Sequence, residues 1–105
     1  MLQKAGITHA GVEYLMRDHY LNGGPGGLER VLNNALGLPR NANEKQRVEA
    51  LKNFKGRENE LRVKIRDARA AEYNRIAMVY PSKRRFLAGW GRRNRRTYEE
   101  SAFMG

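Results

Sequence analysis

Two clusters of basic residues in the last quarter of the sequence carry its clearest chemical signal. They are Lys83-Arg84-Arg85 and Arg92-Arg93-Asn94-Arg95-Arg96, with Trp90 between them inside Gly89-Trp90-Gly91. A guanidinium group forms paired hydrogen bonds with phosphate or carboxylate, and an indole ring can stack on a base. We therefore expect this segment to bind nucleic acid or an acidic protein surface. The expected binding residues are Lys83, Arg84, Arg85, Trp90, Arg92, Arg93, Arg95 and Arg96.

The overall charge points to the same kind of partner. The 105 residues include 21 basic and 11 acidic side chains, for a formal net charge of +10. The excess rises along the chain, from +1 in residues 1–40 to +4 in residues 41–80 and +5 in residues 81–105. A surplus concentrated toward one end favours an anionic partner that binds mainly there. Nucleic acid, an acidic protein groove and an anionic membrane surface all satisfy this condition.

The elements that must position these residues are predicted to be all helical. A long charged helix is expected from Asn43 to about Val79, because Asn43 and Gln46 have the spacing of a capping box and Pro81 ends the helix. Gly56 leaves open whether it is one kinked helix or two helices that meet there. Apolar residues at helical spacing form one narrow seam. The seam consists of Leu61, Ile65, Ala68, Ile76 and Val79.

One narrow seam on so long a helix suggests a second surface to cover it. A coiled-coil partner or a larger assembly would do so, which predicts an oligomer. The alternative is a helical hairpin that packs on itself. The sequence does not decide between these arrangements.

The first 42 residues are expected to form a short helical hairpin. Its helices would run from Thr8 to Leu21 and from Leu28 to Leu36, joined by a tight turn over the glycine-rich run Asn22–Gly27. Such a run can also cradle a phosphate, but no Gly-Lys-Ser/Thr follows it and no strand precedes it. The turn is therefore favoured. The chain is thus divided into residues 1–42, residues 43–80 and residues 81–105.

The basic segment 81–105 is expected to be an extended tail that becomes ordered on a partner. Seven cations flank only three large apolar side chains, those of Phe86, Leu87 and Trp90. That composition is a poor basis for a core of its own. The alternative is a solvated basic end whose Trp90 docks back on the helices.

No catalytic motif or cofactor-binding motif is found, so the protein is expected to be non-enzymatic. His9 and Glu13 are four residues apart on a helix, but no third ligand is spaced to complete a metal site. The sequence contains no cysteine and no run of eighteen apolar residues, and its first ten residues lack the pattern of a signal peptide. These features favour the cytoplasm, and a virion is the alternative location that the resemblance described next implies.

The segment from Tyr14 to Leu28, YLMRDHYLNGGPGGL, resembles a passage in the internal DNA-ejection proteins of short-tailed phages. In those proteins an amphipathic helix leads into a Gly-Gly-Leu turn, followed by a Leu-Pro link and a long charged helix. The resemblance covers residues 12–79 and includes no catalytic motif, and this chain is far shorter than those proteins. It implies a virion component that packs against other helical subunits close to DNA.

Two functional hypotheses follow from these features. In the first, the protein is a structural or assembly subunit of a large complex such as a phage virion, with its helices docked on other subunits. In the second, it is a freestanding nucleic-acid-binding module or regulator that uses the arginines around Trp90. A helical inhibitor that grips the acidic groove of a nucleic-acid enzyme is a third possibility.

Overall fold

A computed structural model describes residues 1–104, and in this part of the chain the protein is helical with no strand. The α-helices are α1 (Leu2–Ala5), α2 (Ala10–Ala35), α3 (Glu44–Lys52), α4 (Glu58–Val79) and α5 (Leu87–Ser101), and a 3-10 helix (Pro81–Phe86) precedes α5. Helices α2, α4 and α5 pack against one another, while α1 packs on α3. The all-α prediction is confirmed for the described residues.

The glycine-rich run interrupts α2 far less than expected. Only Gly24 leaves the helical conformation, with φ 71° and ψ −178°, and the backbone is helical on both sides of it. Glycine adopts this positive φ without the steric cost that a side chain would impose. Pro25 follows directly and starts the second half of the helix, where its missing N–H is tolerated. The predicted six-residue turn is therefore reduced to a kink, and the predicted hairpin is not confirmed.

The predicted long helix is two helices. Its capping box is present, because Asn43 and Gln46 exchange side-chain and backbone hydrogen bonds of 2.8 and 2.9 Å. The chain then leaves the helical path from Asn53 to Arg57, where Gly56 has a φ of +80°. The sequence left open whether there is one kinked helix or two. The structure has two helices that meet near Gly56, so the prediction of a single long helix is wrong.

The core lies between α2 and α4. It is completed by residues of α1 and α3 and by Ile7 and Phe54, which follow these two helices. Its buried apolar residues include Val12, Leu15, Val31, Leu32, Leu51, Leu61 and Ile65. Along the predicted seam, Leu61, Ile65 and Ala68 belong to this core, whereas Ile76 is half-buried and Val79 is 54% exposed. The seam is thus covered within the chain over its first half and is open at the end of α4.

The basic segment is not an extended tail. Residues 81–101 form the 3-10 helix and α5, and α5 packs on both α2 and α4. With this docking the radius of gyration of the chain is 13.3 Å, close to the roughly 13 Å expected for a folded domain of about 100 residues. Of the two alternatives, the one in which Trp90 docks back on the helices describes the structure, and the buried polar residues of α5 add to that docking.

None of the helices in residues 1–104 combines the length and the apolar character needed to cross a membrane.

Candidate nucleic-acid interface

The inner face of α5 is polar and is matched to arginines on α4. Its buried residues are Asn94, Thr97 and Ser101. Arg62 donates from Nε to the Ser101 hydroxyl at 2.9 Å, and Arg69 donates from Nη1 to the Thr97 hydroxyl at 2.9 Å. The Asn94 amide donates to a backbone carbonyl of α4 at 2.9 Å. A helix with few apolar residues can dock here because most of the buried polar atoms at this contact find a partner, with Asn94 Oδ1 and Arg69 Nε as the exceptions within residues 1–104.

Asp18 on α2 joins all three central helices. Its carboxylate accepts a hydrogen bond from Arg69 on α4 at 2.5 Å and another from Arg93 on α5 at 2.7 Å. Burial alone would raise the pKa of Asp18, but the hydrogen bonds from Arg93 and Arg69 outweigh it and hold the pKa below its ordinary value. Arg93 was predicted to bind a partner, and the structure uses much of its charge inside the fold.

Trp90 is docked rather than freely presented between its flanking glycines. Its ring stacks on Tyr73 of α4 with centroids 5.3 Å apart, and the centroid of the Phe86 ring lies 5.9 Å from that of Trp90. Tyr73 in turn lies 5.7 Å from the ring of buried His19. The four rings form a row that runs from the interior to the surface, where Phe86 is 43% exposed. Trp90, one of the predicted binding residues, is therefore held in place as part of this aromatic row.

The outer side of α5 and the 3-10 helix collects the remaining predicted cations. Arg92, Arg95 and Arg96 are spaced three and four residues apart, which places them on one side of the helix. They are exposed, as are the cations of the 3-10 helix. We refer to this surface as the basic face. It consists of Lys83, Arg84, Arg85, Arg92, Arg95 and Arg96.

Acidic side chains neutralise little of the basic face. Within residues 1–104, Lys83, Arg84, Arg85, Arg92 and Arg95 form no ion pair, and Arg96 lies 3.8 Å from Glu100. Glu100 also accepts a hydrogen bond from the Tyr14 hydroxyl, which raises the pKa of that tyrosine. Most of the positive charge is consequently available to an external anion, and Arg84, Arg92 and Arg95 have no ion pair within residues 1–104 to break on binding one.

Sequence reasoning missed the internal roles of Arg62, Arg69 and Asp18. A signal for the two arginines was present, since Arg62 and Arg69 are seven residues apart and adjoin the core positions Leu61 and Ala68. Charged residues at core spacing on a helix indicate buried polar contacts rather than solvent exposure. Nothing local marks Asp18, because its partners are 51 and 75 residues away in the chain.

Comparisons of the chain with models of protein families, with curated proteins and with solved structures found no match. In residues 1–104, no three His, Asp or Glu side chains are grouped as a metal site would require.

Proposed function

We propose that this protein is a helical module that binds nucleic acid through its phosphates, with the basic face of α5 and the 3-10 helix as the contact surface. The observation that carries the proposal is that one arginine of α5 is paired inside the fold while its neighbours are exposed and unpaired in the described part of the chain. Arg93 is paired with Asp18 at 2.7 Å, whereas Arg92 and Arg95, its neighbours along the helix, point away from the fold and form no ion pair within residues 1–104. A helix held in place by one side leaves the other side free for a ligand.

The density of charge on this surface suits a polyanion. Arg92 to Arg96 spans about 6 Å along the helix axis at 1.5 Å per residue. Duplex DNA carries about one negative charge per 1.7 Å of its axis, so several phosphates lie opposite these guanidinium groups at once. Arginine outnumbers lysine on the basic face, and arginine can pair with a phosphate through two parallel hydrogen bonds. A single small anion would use only part of this surface.

The test is the salt dependence of binding to a short DNA duplex, followed by fluorescence anisotropy. Each phosphate contact contributes roughly 0.9 to the slope of log affinity against log salt, so Arg92→Gln with Arg95→Gln should lower the slope by about 1.8. The matched control is Arg40→Gln with Lys45→Gln, two exposed residues of equal total charge that form no ion pair in residues 1–104 and lie outside the basic face.

The control pair should leave the slope close to that of the unmodified protein. An equal loss in both double variants would mean that only the net charge matters, and the basic face would then not be the contact surface.

A role as an assembly subunit is the second candidate, and an exposed apolar patch favours it. Met78, Val79 and Tyr80 at the end of α4 are 76, 54 and 54% exposed. Contiguous exposed apolar residues often mark a protein–protein contact. This role would agree with the resemblance to internal virion proteins, in which helices pack against other subunits near DNA.

Light scattering on the purified protein tests this second role. We expect self-association that is reversed by Met78→Ser with Val79→Ser, while DNA affinity is retained. A protein that stays monomeric at high concentration would contradict self-assembly through this patch.

A further inference from the structure

A cleft lies between the kinked part of α2, α4 and α5, beside the basic face. It has a volume of about 140 Å³ and is lined by His19, Gly23 and Gly27 of α2, Tyr73 and Ile76 of α4, and Trp90 of α5, among others. The two glycines leave this space open. A methyl group built on Gly27 would lie 3.7 Å from Nε2 of His19, and one on Gly23 would lie 3.4 Å from the same atom.

His19 is a buried polar residue that lines the cleft. Its side chain is only 2% exposed, and its Nδ1 is buried with no hydrogen-bond partner in residues 1–104. Burial, together with the nearby charge of Arg69, lowers the pKa of His19 to about 4, against the opposing effect of Glu72 and Asp18. The imidazole is therefore neutral near pH 7 and offers one donor and one acceptor. Nε2, the ring nitrogen on the side of Gly23 and Gly27, is the atom of His19 that a ligand in the cleft would meet.

Two arginines at the cleft have donors to spare, although each is paired with a carboxylate, Arg30 with Glu72 and Arg93 with Asp18. Arg30 uses Nε to bind Glu72 at 2.9 Å, and Arg93 uses Nε and Nη2 to bind Asp18. The remaining guanidinium nitrogens of Arg30 extend along the glycines, since Nη2 lies 3.8 Å from a methyl group built on Gly27. The side chains of Arg30 and Arg93 are 43 and 42% exposed. They can therefore bind a phosphate at the mouth of the cleft.

The size and the walls of the cleft restrict what can enter. An engineered cavity of about 150 Å³ in another protein holds one benzene ring, so a volume of about 140 Å³ is enough to enclose one six-membered ring and too small to enclose a fused purine. Tyr73, Ile76 and Trp90 provide apolar and aromatic surface for a flat ring. His19 provides the hydrogen-bonding group at its edge.

We infer that the cleft binds one unstacked pyrimidine base of a single-stranded nucleic acid, with the adjoining phosphates on Arg30 and Arg93. This inference rests on the proposed nucleic-acid function and specifies its ligand. The base packs beside Trp90 and meets His19, while the strand continues along the basic face. Duplex DNA cannot present a base in this way unless the base leaves its stack.

The experiment compares oligo-dT, oligo-dA and a duplex of equal length, using anisotropy together with the fluorescence of Trp90, the single tryptophan of the chain. The cleft variant is Gly27→Ala, whose methyl group fits at ordinary contact distance and occupies the cleft. The matched control is Gly26→Ala, the preceding exposed glycine, which does not line the cleft. Both changes favour the helix, so neither should unfold it.

We expect the unmodified protein to bind oligo-dT more tightly than oligo-dA, with a change in Trp90 fluorescence. Gly27→Ala should weaken oligo-dT binding about tenfold, a loss within the range for one stacked base. Its affinity for oligo-dA and duplex should stay within about twofold of the unmodified value, and Gly26→Ala should resemble the unmodified protein.

Equal affinity for oligo-dT and oligo-dA, with no effect of Gly27→Ala, would overturn the base site. The proposed function would still stand if Arg92 and Arg95 governed the salt dependence. Absence of binding to all three nucleic acids would instead refute the proposed function itself. A titration with thymidine monophosphate distinguishes a base within a strand from a free nucleotide as the ligand. If the free nucleotide saturated the protein at the same concentration as oligo-dT, the inference that the cleft binds a base of a strand would be overturned.

Discussion

The guanidinium group of Arg69 lies 2.5 Å from the carboxylate of Asp18, and the arginine side chain is completely buried. The same arginine donates to Thr97 of α5 and to the Tyr73 hydroxyl, at 2.9 and 3.2 Å. Asp18 also binds Arg93 of α5. One buried cation and one carboxylate therefore connect α2, α4 and α5, and they hold the helix that carries the basic face.

Asp18→Asn should destabilise the protein strongly, because it leaves the buried charge of Arg69 without its counter-ion. Breaking a buried ion pair in this way costs about 3–5 kcal/mol. The control is Asp67→Asn, which breaks an exposed pair with Arg66 and should cost about 0–1 kcal/mol. Urea denaturation gives both free energies of unfolding. Similar losses in the two variants would show that the buried pair does not hold the three helices together.

His19 should make the protein less stable in mild acid. Its pKa is about 4 in the folded protein, below the ordinary value of 6.5, so the unfolded chain takes up the proton first as the pH falls. Stability is full above pH 6.5 and declines by roughly 3 kcal/mol as the pH falls toward 4. The carboxylates of Asp18 and Glu72, whose pKa values are lowered by their arginine partners, add losses at lower pH.

Urea denaturation at pH 7 and at pH 4.5 measures this effect of His19. His19→Phe keeps an aromatic ring beside Tyr73 and removes the titrating group, so most of the loss between these two pH values should disappear. A variant that loses as much stability as the unmodified protein would assign the acid sensitivity to other groups.

Gly56 and Gly91 should respond to alanine in opposite directions. Gly56 has a φ of +80°, a conformation that costs an alanine roughly 1–2 kcal/mol even though the space around it is open. Gly91 lies within α5, where a methyl group meets nothing within 4 Å. Alanine there should stabilise the protein by about 1 kcal/mol. Thermal unfolding of the two variants checks both signs, and stabilisation by Gly56→Ala would mean that α3 and α4 can join into one helix.

Removal of residues 82–105 should destabilise the whole fold. It takes away the Thr97 and Ser101 hydroxyls, which accept from Arg69 and Arg62, and it uncovers α2 and α4. We expect the truncated chain to lose its cooperative thermal transition, monitored by circular dichroism. A truncated chain that melts like the full protein would show that α5 is an independent appendage. Point substitutions on the basic face are for this reason the sounder test of binding.

Local rules in the sequence account for much of the secondary structure. The pairing of Asn43 with Gln46 forms as a capping box, α4 ends before Pro81, and Gly56 takes the positive φ that a break requires. Each of these features depends on residues a few positions apart, so the sequence contains them directly. The glycine-rich run was harder to interpret, because only Gly24 among its glycines adopts a non-helical conformation.

The sequence by itself determined a helical chain with a cationic end, since capping, helical periodicity and charge are properties of neighbouring residues. Only the tertiary structure decided that this end forms α5 and docks, and which arginines remain free to bind. Arg93 faces Asp18 while Arg92 faces solvent, a difference set by contacts 75 residues apart in the chain. Such contacts have no signature in local spacing, because a buried polar pair is stabilised only when the fold brings both partners together.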